Sequence, residues 1–132
     1  DRMQTVKDIL LEKGSDVVAT APSASVRQAV RSMAEANVGC LIVEQEGRTL
    51  GIFTDRDLLR RVVDAGKGPA STRISEVMSA PVASCSLDED VRGCGEILQG
   101  GNFRHLAVVD SGSELVGVIS LRDLLCAELQ PV

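Results

Sequence analysis

Apolar and polar residues follow two different periods along the first half of this chain, and each period predicts a type of element. From about Ser25, apolar residues recur at intervals of three and four, which is the stripe of a one-faced helix. Short apolar runs at residues 41–43 and 50–53 flank a polar turn and predict a two-stranded hairpin. A β-branched run at 17–19 and a helical stretch from 55 to about 63 complete the order β-α-β-β-α.

The second half of the chain repeats this order. Residues 20–27 align with residues 85–92 at a displacement of 65 positions, and one extra residue in the second hairpin turn raises the displacement to 66. The second copy predicts a strand at 82–83, a helix from about 89 to 99, a hairpin of 106–109 with 115–119, and a helix at 121–128. Residues 6–9 also resemble residues 74–77, so each copy begins with a similar segment.

These repeats define the predicted domain organisation. The first repeat with its N-terminal helix spans 1–64, a linker rich in Gly, Pro and Ser spans 65–73, and the second repeat spans 74–132. One three-stranded sheet with two helices on one face cannot bury its apolar side fully, whereas two such copies packed together can. The predicted fold class is therefore α/β (α+β), with two β-α-β-β-α repeats packed by pseudo-two-fold symmetry.

The composition excludes several classes of function. Hydrophobic residues make up 44% of the chain but aromatic residues only 2%, so the core must consist of Val, Leu, Ile and Ala. Proteins that stack nucleic-acid bases need aromatic rings and a basic surface, whereas this chain has a net charge of −5. Its longest apolar run, at 38–43, is far too short to cross a membrane. We therefore expect neither a nucleic-acid partner nor a membrane span.

Cysteine usage bears on location and chemistry. The four cysteines, at 40, 85, 94 and 126, show no C-x-x-C spacing, and the chain has a single His. This pattern favours small buried thiols over a metal or redox site and predicts a reducing, cytoplasmic location. No nucleophile, base and orienting residue form a recognisable set, so we expect no enzymatic activity. The sequence starts at Asp1 without a Met, which leaves open that the chain is a fragment of a larger protein.

Each copy carries a Gly-x-x-Ser/Thr-x-x-Asp motif where the second hairpin strand meets the last helix. The motif residues are Gly51, Thr54 and Asp57 in the first copy and Gly117, Ser120 and Asp123 in the second. Ser/Thr followed three residues later by an acid is close to a capping box, which alone would explain the pattern. The same geometry suits a ligand, because a helix N-terminus attracts phosphate and a nearby carboxylate can accept ribose hydroxyls. Capping requires neither the glycines nor Arg56 and Arg122, which can neutralise a phosphate.

With these two motifs and the duplicated β-α-β-β-α order, the chain resembles a tandem pair of CBS (cystathionine β-synthase) domains over about residues 6–129. Such a pair is called a Bateman module, and the resemblance is to a stand-alone, bacterial-type CBS protein. It implies clefts between the two repeats that bind adenosyl ligands. AMP, ADP and ATP are the expected ligands, and S-adenosylmethionine and NAD are less expected. It also implies homodimers and a regulatory role in signal transduction.

The resemblance assigns roles to the matching residues. Asp57 and Asp123 resemble the ribose acceptors, Thr54 and Ser120 resemble the phosphate contacts, and Arg56 and Arg122 occupy variable positions near phosphate. The backbone that reads adenine corresponds to the first strands, through Val18, Ala19, Ala83 and Cys85, with Val38 and Phe103 beside the base. We also expect Phe53 and Phe103 to lie at corresponding segments on the ligand side.

The two copies differ before their middle strands. The second copy has Arg104 and His105 where the first has Gly39 and Cys40. They are either a solvated Arg beside a structural His or a pair that binds phosphate. We interpret Cys85 as a small apolar residue in preference to a redox switch.

Three functions remain after these exclusions. The leading hypothesis is a regulatory module that senses an adenine nucleotide. The rival is a structural dimerisation module without ligand, whose motifs are only helix caps. The third is a regulatory fragment of a larger transporter or enzyme.

Overall fold

The structure, a computed structural model, describes residues 4–101 and 103–129 and divides the chain into two compact units. The first unit is Val17–Val82, and the second unit combines Asp1–Asp16 with Ala83–Val132. Each unit has its own three-stranded sheet and its own apolar core. The predicted mixed fold class with a duplicated repeat is therefore confirmed.

The elements of the two copies correspond one to one. In chain order, the first are helix α1 (Val6–Lys13), strand β1 (Ala19–Thr20), helix α2 (Val26–Ala36), strands β2 (Cys40–Gln45) and β3 (Arg48–Thr54), and helix α3 (Asp55–Asp57), which continues as a π-helical segment (Leu58–Val63). The others are helix α4 (Ile74–Val77), strand β4 (Ser84–Ser86), helix α5 (Val91–Gly101), strands β5 (His105–Val109) and β6 (Leu115–Ser120), and helix α6 (Leu121–Leu129).

Both sheets have the same topology. The strand orders are β1-β2-β3 and β4-β5-β6, and the middle strand is parallel to the first and antiparallel to the third. The predicted hairpins are thus confirmed. The first closes through Glu46 and Gly47, whose positive φ angles of 52° and 77° fit a two-residue type I′ turn. The second needs a longer turn, in which Oδ1 of Asp110 accepts hydrogen bonds from the N–H groups of Gly112 and Glu114.

The first strand of each copy begins later than predicted. β1 is Ala19–Thr20 rather than 17–19, and β4 is Ser84–Ser86 rather than 82–83. Pairing with the middle strand sets these bounds, because β-branched composition does not determine where the chain runs beside its neighbour. Val18, which contributed to the prediction, packs against the core of the first unit.

The helical stripes predicted from the sequence form the inner faces of α2 and α5. Their buried residues are Val26, Ala29 and Met33 in α2 and Val91, Cys94 and Leu98 in α5. The last helix of the first copy is also present, although most of it is π-helical: the N–H of Asp64 donates to the carbonyl of Leu59, five residues earlier, at 2.9 Å.

One expectation about the aromatic residues is wrong. Phe53 is fully buried in the core of the first unit, so it cannot lie on the ligand side. It pairs with Leu41 across β2 and β3, and both side chains point to the same inner face of the sheet. The apolar end of β3 therefore serves packing.

The helix that precedes each repeat in the sequence belongs to the compact unit formed by the other repeat. Helix α1 precedes the first repeat but belongs to the second unit, where the N–H of Val6 donates to the carbonyl of Glu89 at 2.8 Å. Helix α4 precedes the second repeat but belongs to the first unit, where the N–H of Ile74 donates to the carbonyl of Ala24 at 2.9 Å. Segments 1–64 and 74–132 are thus the repeats of the sequence. Each compact unit of the structure combines parts of both segments.

The glycine that begins each motif lies where helix α4, in the first unit, or helix α1, in the second unit, approaches the sheet. A Cβ on Gly51 would stand 2.7 Å from the backbone oxygen of Ser79, just after α4. A Cβ on Gly117 would stand 2.9 Å from the methyl carbons of Leu10 in α1. Close packing therefore requires both glycines, and they need no ligand to explain them.

Alanine substitutions test this packing and distinguish its two forms. Gly51→Ala places a methyl group against a backbone carbonyl that is fixed in the fold, so we expect the free energy of unfolding to fall by about 2–3 kcal/mol. Gly117→Ala meets the end of a leucine side chain, which can change rotamer, so we expect a loss of about 1 kcal/mol or less. Urea denaturation followed by circular dichroism measures both values. Equal losses would contradict the difference in packing.

Candidate functional site

Both motifs act as helix caps. The hydroxyl of Thr54 accepts a hydrogen bond from the N–H of Asp57 at 3.1 Å, and the Asp57 carboxylate accepts the Thr54 N–H at 3.0 Å. Ser120 and Asp123 repeat both bonds at 3.1 and 2.8 Å. The capping-box interpretation is therefore confirmed in each copy, and any ligand contact must be made by what the caps leave available.

The carboxylate of the first motif is sealed by its neighbours. Asp57 is 7% exposed, and its Oδ2 accepts both the N–H and the hydroxyl of Thr54. Its Oδ1 accepts the hydroxyl of Ser79 at 2.9 Å and lies 3.6 Å from Nε of Arg61. Arg61 is fixed in turn, because its guanidinium donates to the carbonyl of Met78 at 2.8 Å. A ribose hydroxyl at Oδ1 of Asp57 would therefore compete with Ser79 and Arg61.

The carboxylate of the second motif is less enclosed. The Asp123 side chain is 23% exposed. Its Oδ2 accepts hydrogen bonds from the N–H of Ser120 and from the ammonium group of Lys13, the latter at 2.7 Å. Lys13 is held in place because it also donates to the carbonyl of Val118 at 3.0 Å. Oδ1 accepts no hydrogen bond from any residue in the ranges 4–101 and 103–129. Among those residues, Oδ1 thus retains its capacity to accept a hydrogen bond.

Opposing effects set the acidity of Asp123. Burial raises the pKa of its carboxyl group, but the hydrogen bonds from Lys13 and Ser120, together with the charge of Lys13, outweigh burial and lower that pKa below its ordinary value. The carboxylate is therefore ionised at neutral pH, which is the form that accepts hydroxyl protons.

A cavity opens beside this carboxylate within the second unit. Its volume is about 170 Å³, and it lies between residues of α1 and α6: Ile9, Glu12, Lys13, Asp123, Cys126 and Ala127. Three of the six lining residues are charged, namely Glu12, Lys13 and Asp123, and the other three are apolar or a thiol. The leading helix thus contributes half of the surroundings of the second motif.

Three basic residues, Arg104, His105 and Arg122, lie beside the start of α6 along the backbone. The N–H of Leu121 donates to the carbonyl of Arg104 at 2.8 Å, and His105 pairs with Ser120 across β5 and β6. Arg104 and Arg122 are exposed, and His105 is half-buried. The backbone thus places Arg104, His105 and Arg122 beside the start of α6, and their role as phosphate contacts stays a prediction. In the first copy, the carbonyl of Gly39 takes the place of the Arg104 carbonyl and accepts the N–H of Asp55. Arg56, the only cation predicted for the first site, is half-buried.

The predicted adenine-reading strands are partly committed to their sheets. The carbonyls of Val18 and Ala83 accept the N–H groups of Ile42 and Ala107, both at 2.9 Å. Ala19 is exposed, whereas the Cys85 side chain points into the core. The backbone of these short strands, and not the Cys85 thiol, is what a ligand could reach.

Two apolar side chains occupy equivalent exposed positions before the middle strands. Val38 is 37% exposed and Phe103 is 45% exposed, and their N–H groups donate to Met33 and Leu98 at the ends of α2 and α5. An exposed ring can cover a flat base, so Phe103 gives the second copy the larger apolar wall.

Sequence reasoning missed the residues that hold the two carboxylates. Lys13 comes from α1, Ser79 follows α4, and Arg61 lies in the π-helical segment. The similarity of residues 6–9 to 74–77 was the one available signal, because it marks the leading segments that reach the motifs. It does not show which motif each segment meets.

Removing the Ser79 hydroxyl tests the seal on Asp57. Ser79→Ala leaves a buried carboxylate with one fewer donor, so we expect the free energy of unfolding to fall by about 1–2 kcal/mol. The matched control is Ser75→Ala, an exposed serine of α4 that should change stability by less than about 0.5 kcal/mol. Chemical denaturation compares the two variants. A loss no larger than that of the control would mean that Ser79 contributes nothing to the seal.

Lys13 gives a pH-dependent prediction. Because the folded pKa of Asp123 lies below its unfolded value, the ionised carboxylate stabilises the fold above the unfolded pKa, and this contribution is lost as pH falls through the folded pKa. Lys13→Ala should therefore cost about 0.5–1 kcal/mol at neutral pH, and the difference from wild type should shrink below about pH 4. Stability is measured by denaturation at several pH values, with Lys7→Ala, an exposed lysine of α1, as control. A difference independent of pH would point to lost packing instead.

The described part of the chain contains neither a metal-binding cluster nor a membrane-spanning helix. Among residues 4–101 and 103–129, no three His, Cys, Asp or Glu side chains lie close enough to hold a metal ion. Within the same residues, no helix combines the length and apolar character needed to span a membrane.

Comparison with known proteins identifies the family. A family model described as CBS domain matches residues 6–64 and again 74–129. The chain is 32% identical over 121 residues to arabinose 5-phosphate isomerase KdsD of Francisella tularensis, which covers 92% of this chain and 37% of the isomerase. The CBS domain-containing protein YhcV of Bacillus subtilis is 30% identical over 122 residues, covering 92% of this chain and 84% of that protein.

A solved structure agrees with these relatives. The CBS-domain containing protein of Agrobacterium tumefaciens is similar with a TM-score of 0.87 and 34% identity, covering 95% of this chain and 93% of that one. The chain spans 37%, 58% and 65% of the first three curated relatives that it matches. With both copies matched and the fold shared, the chain belongs to the CBS domain family as a tandem pair.

Proposed function

We propose that this CBS pair is a regulatory module that senses an adenosyl ligand of the AMP, ADP or ATP class, and that its second motif is the main binding site. The observation that carries this proposal is the contrast between the two carboxylates. Asp57 is buried under Thr54, Ser79 and Arg61, whereas Asp123 keeps Oδ1 available beside an open cavity.

The proposed ligand contacts follow from the chemistry of the second copy. Oδ1 of Asp123 accepts the ribose hydroxyls, and Arg104 and Arg122 neutralise phosphate. The Ser120 hydroxyl accepts one backbone N–H and still has its own proton to donate to a phosphate oxygen. Phe103 covers one face of the base, and the short strand through Ala83 offers its backbone.

The first motif has a different proposed role. Its Thr54 hydroxyl already donates its proton to Asp57, and the carboxylate is satisfied without a ligand. We assign Asp57, Thr54 and Arg56 to stabilising the first unit, with Val18, Ala19 and Val38 as at most a weak second site. This division supports one strong site in the chain.

Lys13 supplies a means of transmitting occupancy. It lies on α1 and binds the same carboxylate that would bind ribose, so ligand and Lys13 draw on one group. A ligand shifts a conformational equilibrium only as far as it prefers one state over the other. Here the two states differ in whether the end of α1 is bound to the start of α6 through Lys13, and this contact is what the ligand would modulate.

The rival function is a structural module without ligand, which the sealed Asp57 favours for the first copy. The partial coverage of the isomerase supports a third possibility, that a pair of this kind regulates a larger enzyme to which it is joined. In neither of these functions does the chain itself catalyse a reaction. The proposal also includes the reducing, cytoplasmic location that the cysteine spacing of the sequence predicts.

Self-association belongs to the same proposal. Leu59 and Val63 are 62% and 63% exposed on the π-helical segment, and Leu121 and Leu125 are 41% and 50% exposed on α6. Each pair is spaced by four residues and so forms one apolar helix face. Two such faces support a homodimer, and hexameric assembly is recorded for a similar CBS-CP12 protein of cyanobacteria.

Calorimetric titration with AMP, ADP, ATP, NAD and S-adenosylmethionine tests the ligand proposal. We expect one nucleotide of the first three to bind at one site per chain. Asp123→Asn keeps an oxygen for the cap but loses the charge that attracts ribose hydroxyls, so the affinity should fall at least about tenfold. Arg122→Ala should weaken phosphate-bearing ligands, while its matched control Arg56→Ala should leave the affinity within about twofold.

Circular dichroism shows whether each variant remains folded before its affinity is interpreted. If none of the five ligands binds at millimolar concentration, the structural module is the correct function. If Arg56→Ala weakens binding and Arg122→Ala does not, the ligand occupies the first motif, and the assignment of the main site is wrong.

A further inference from the structure

Two of the four cysteines lie together in the core of the second unit. Cys85 is the middle residue of β4, where it pairs with Val108 of β5, and Cys94 is in the first turns of α5. Both belong to the same apolar cluster, and their thiols are hydrogen-bonded to each other. Cys40 and Cys126 lie outside this cluster.

The environment of the two thiols is unequal. The hydrogen bond from Cys94 lowers the pKa of Cys85, against the opposing effects of burial and of Glu89. The same hydrogen bond raises the pKa of Cys94, and burial and the charges of Cys85, Glu89 and Asp90 raise it further. Cys85 is thus the more acidic thiol of the pair.

Accessibility points in the same direction. Cys85 is 6% exposed and lies between the exposed residues Ser84 and Ser86, whereas Cys94 has no exposed surface. Of the two, only Cys85 has any exposed surface, and it lies on an edge strand of its sheet. The more acidic thiol and the less buried cysteine are therefore the same residue.

We propose that Cys85 and Cys94 form a dithiol that a small hydroperoxide oxidises reversibly to a disulfide, with Cys85 as the reacting thiol and Cys94 as the resolving thiol. The site is a property of the second copy alone. At the aligned positions the first copy has Thr20 and Ala29, which hold no sulfur.

The oxidation balances with the peroxide as its only co-reactant. The Cys85 thiolate attacks one peroxide oxygen, the O–O bond breaks, and the leaving oxygen takes up a proton, which gives a sulfenic acid and, for hydrogen peroxide, water. Cys94 then loses its proton and attacks the Cys85 sulfur; the S–S bond forms, the S–O bond breaks, and the departing hydroxide is protonated to a second water. Two thiols are oxidised and one peroxide is reduced.

The disulfide would tie β4 to α5 across the ten residues from Cys85 to Cys94. That strand follows directly from Ala83, whose backbone is assigned to the ligand under the proposed function. The oxidation itself depends only on the two sulfurs, so it can be tested without any nucleotide.

The experiment uses the full chain with Cys40→Ser and Cys126→Ser, which leaves only the two core thiols. Hydrogen peroxide should convert most of this protein to a species lighter by two hydrogen atoms, with a peptide map that joins Cys85 to Cys94. Dithiothreitol should restore the original mass. Retention of two free thiols, or oxidation of Cys85 to sulfinic acid without a disulfide, overturns the proposal.

Two further variants assign the roles, and the first copy supplies residues that fit these core positions. With Cys94→Ala, which introduces the residue found at the fully buried Ala29, Cys85 should accumulate as a sulfenic acid that dimedone traps. With Cys85→Thr, which introduces the residue found at Thr20, Cys94 should stay unmodified. Reaction of Cys94 in the second variant, or no reaction of Cys85 in the first, would show that the assigned order is wrong.

Discussion

The constraint on which this structure depends is that each motif carboxylate must first satisfy the backbone at the start of its own helix. Asp57 and Asp123 both accept the N–H of the residue three positions earlier, and this bond fixes the side chain before a ligand or partner is considered. What distinguishes the copies is the remaining capacity of each carboxylate. Ser79 and Arg61 fill it in the first copy, and Lys13 fills only part of it in the second. The same four-residue cap can thus be a purely structural element or the base of a binding site.

The sequence predicted the elements because their periodicity is local. The stripe of α2, the hairpin of β2 and β3 and the helix starts at Thr54 and Ser120 each depend on residues within a dozen positions of one another. Phe53 shows the limit of such reasoning: its apolar character was clear, but which face of β3 turns inward depends on the register with β2. The first strands were misplaced for a similar reason, since their bounds are set by pairing with a distant segment.

The site was predictable to the extent that it follows from the motif. The hairpin register pairs His105 with Ser120, so both lie beside the start of the helix that carries Arg122. Lys13 and Ser79 are 110 and 22 residues from the carboxylates they bind, and no local pattern connects them. The glycines show the converse error, since a requirement of packing resembled a requirement of ligand binding.

The exchange of leading helices also determines the order in which the cores can be completed during synthesis. Helix α1 is made before both sheets of the pair, but its partners Leu87 and Glu89 are synthesised more than seventy residues later. An isolated helix of eight residues is only marginally stable in water, so α1 gains its stability when the second sheet has formed. The first unit, by contrast, is contiguous from Val17 to Val82 and can close while the rest of the chain is still being made. Helix α1 is therefore made before the rest of the pair but is among the last of its segments to reach its final environment.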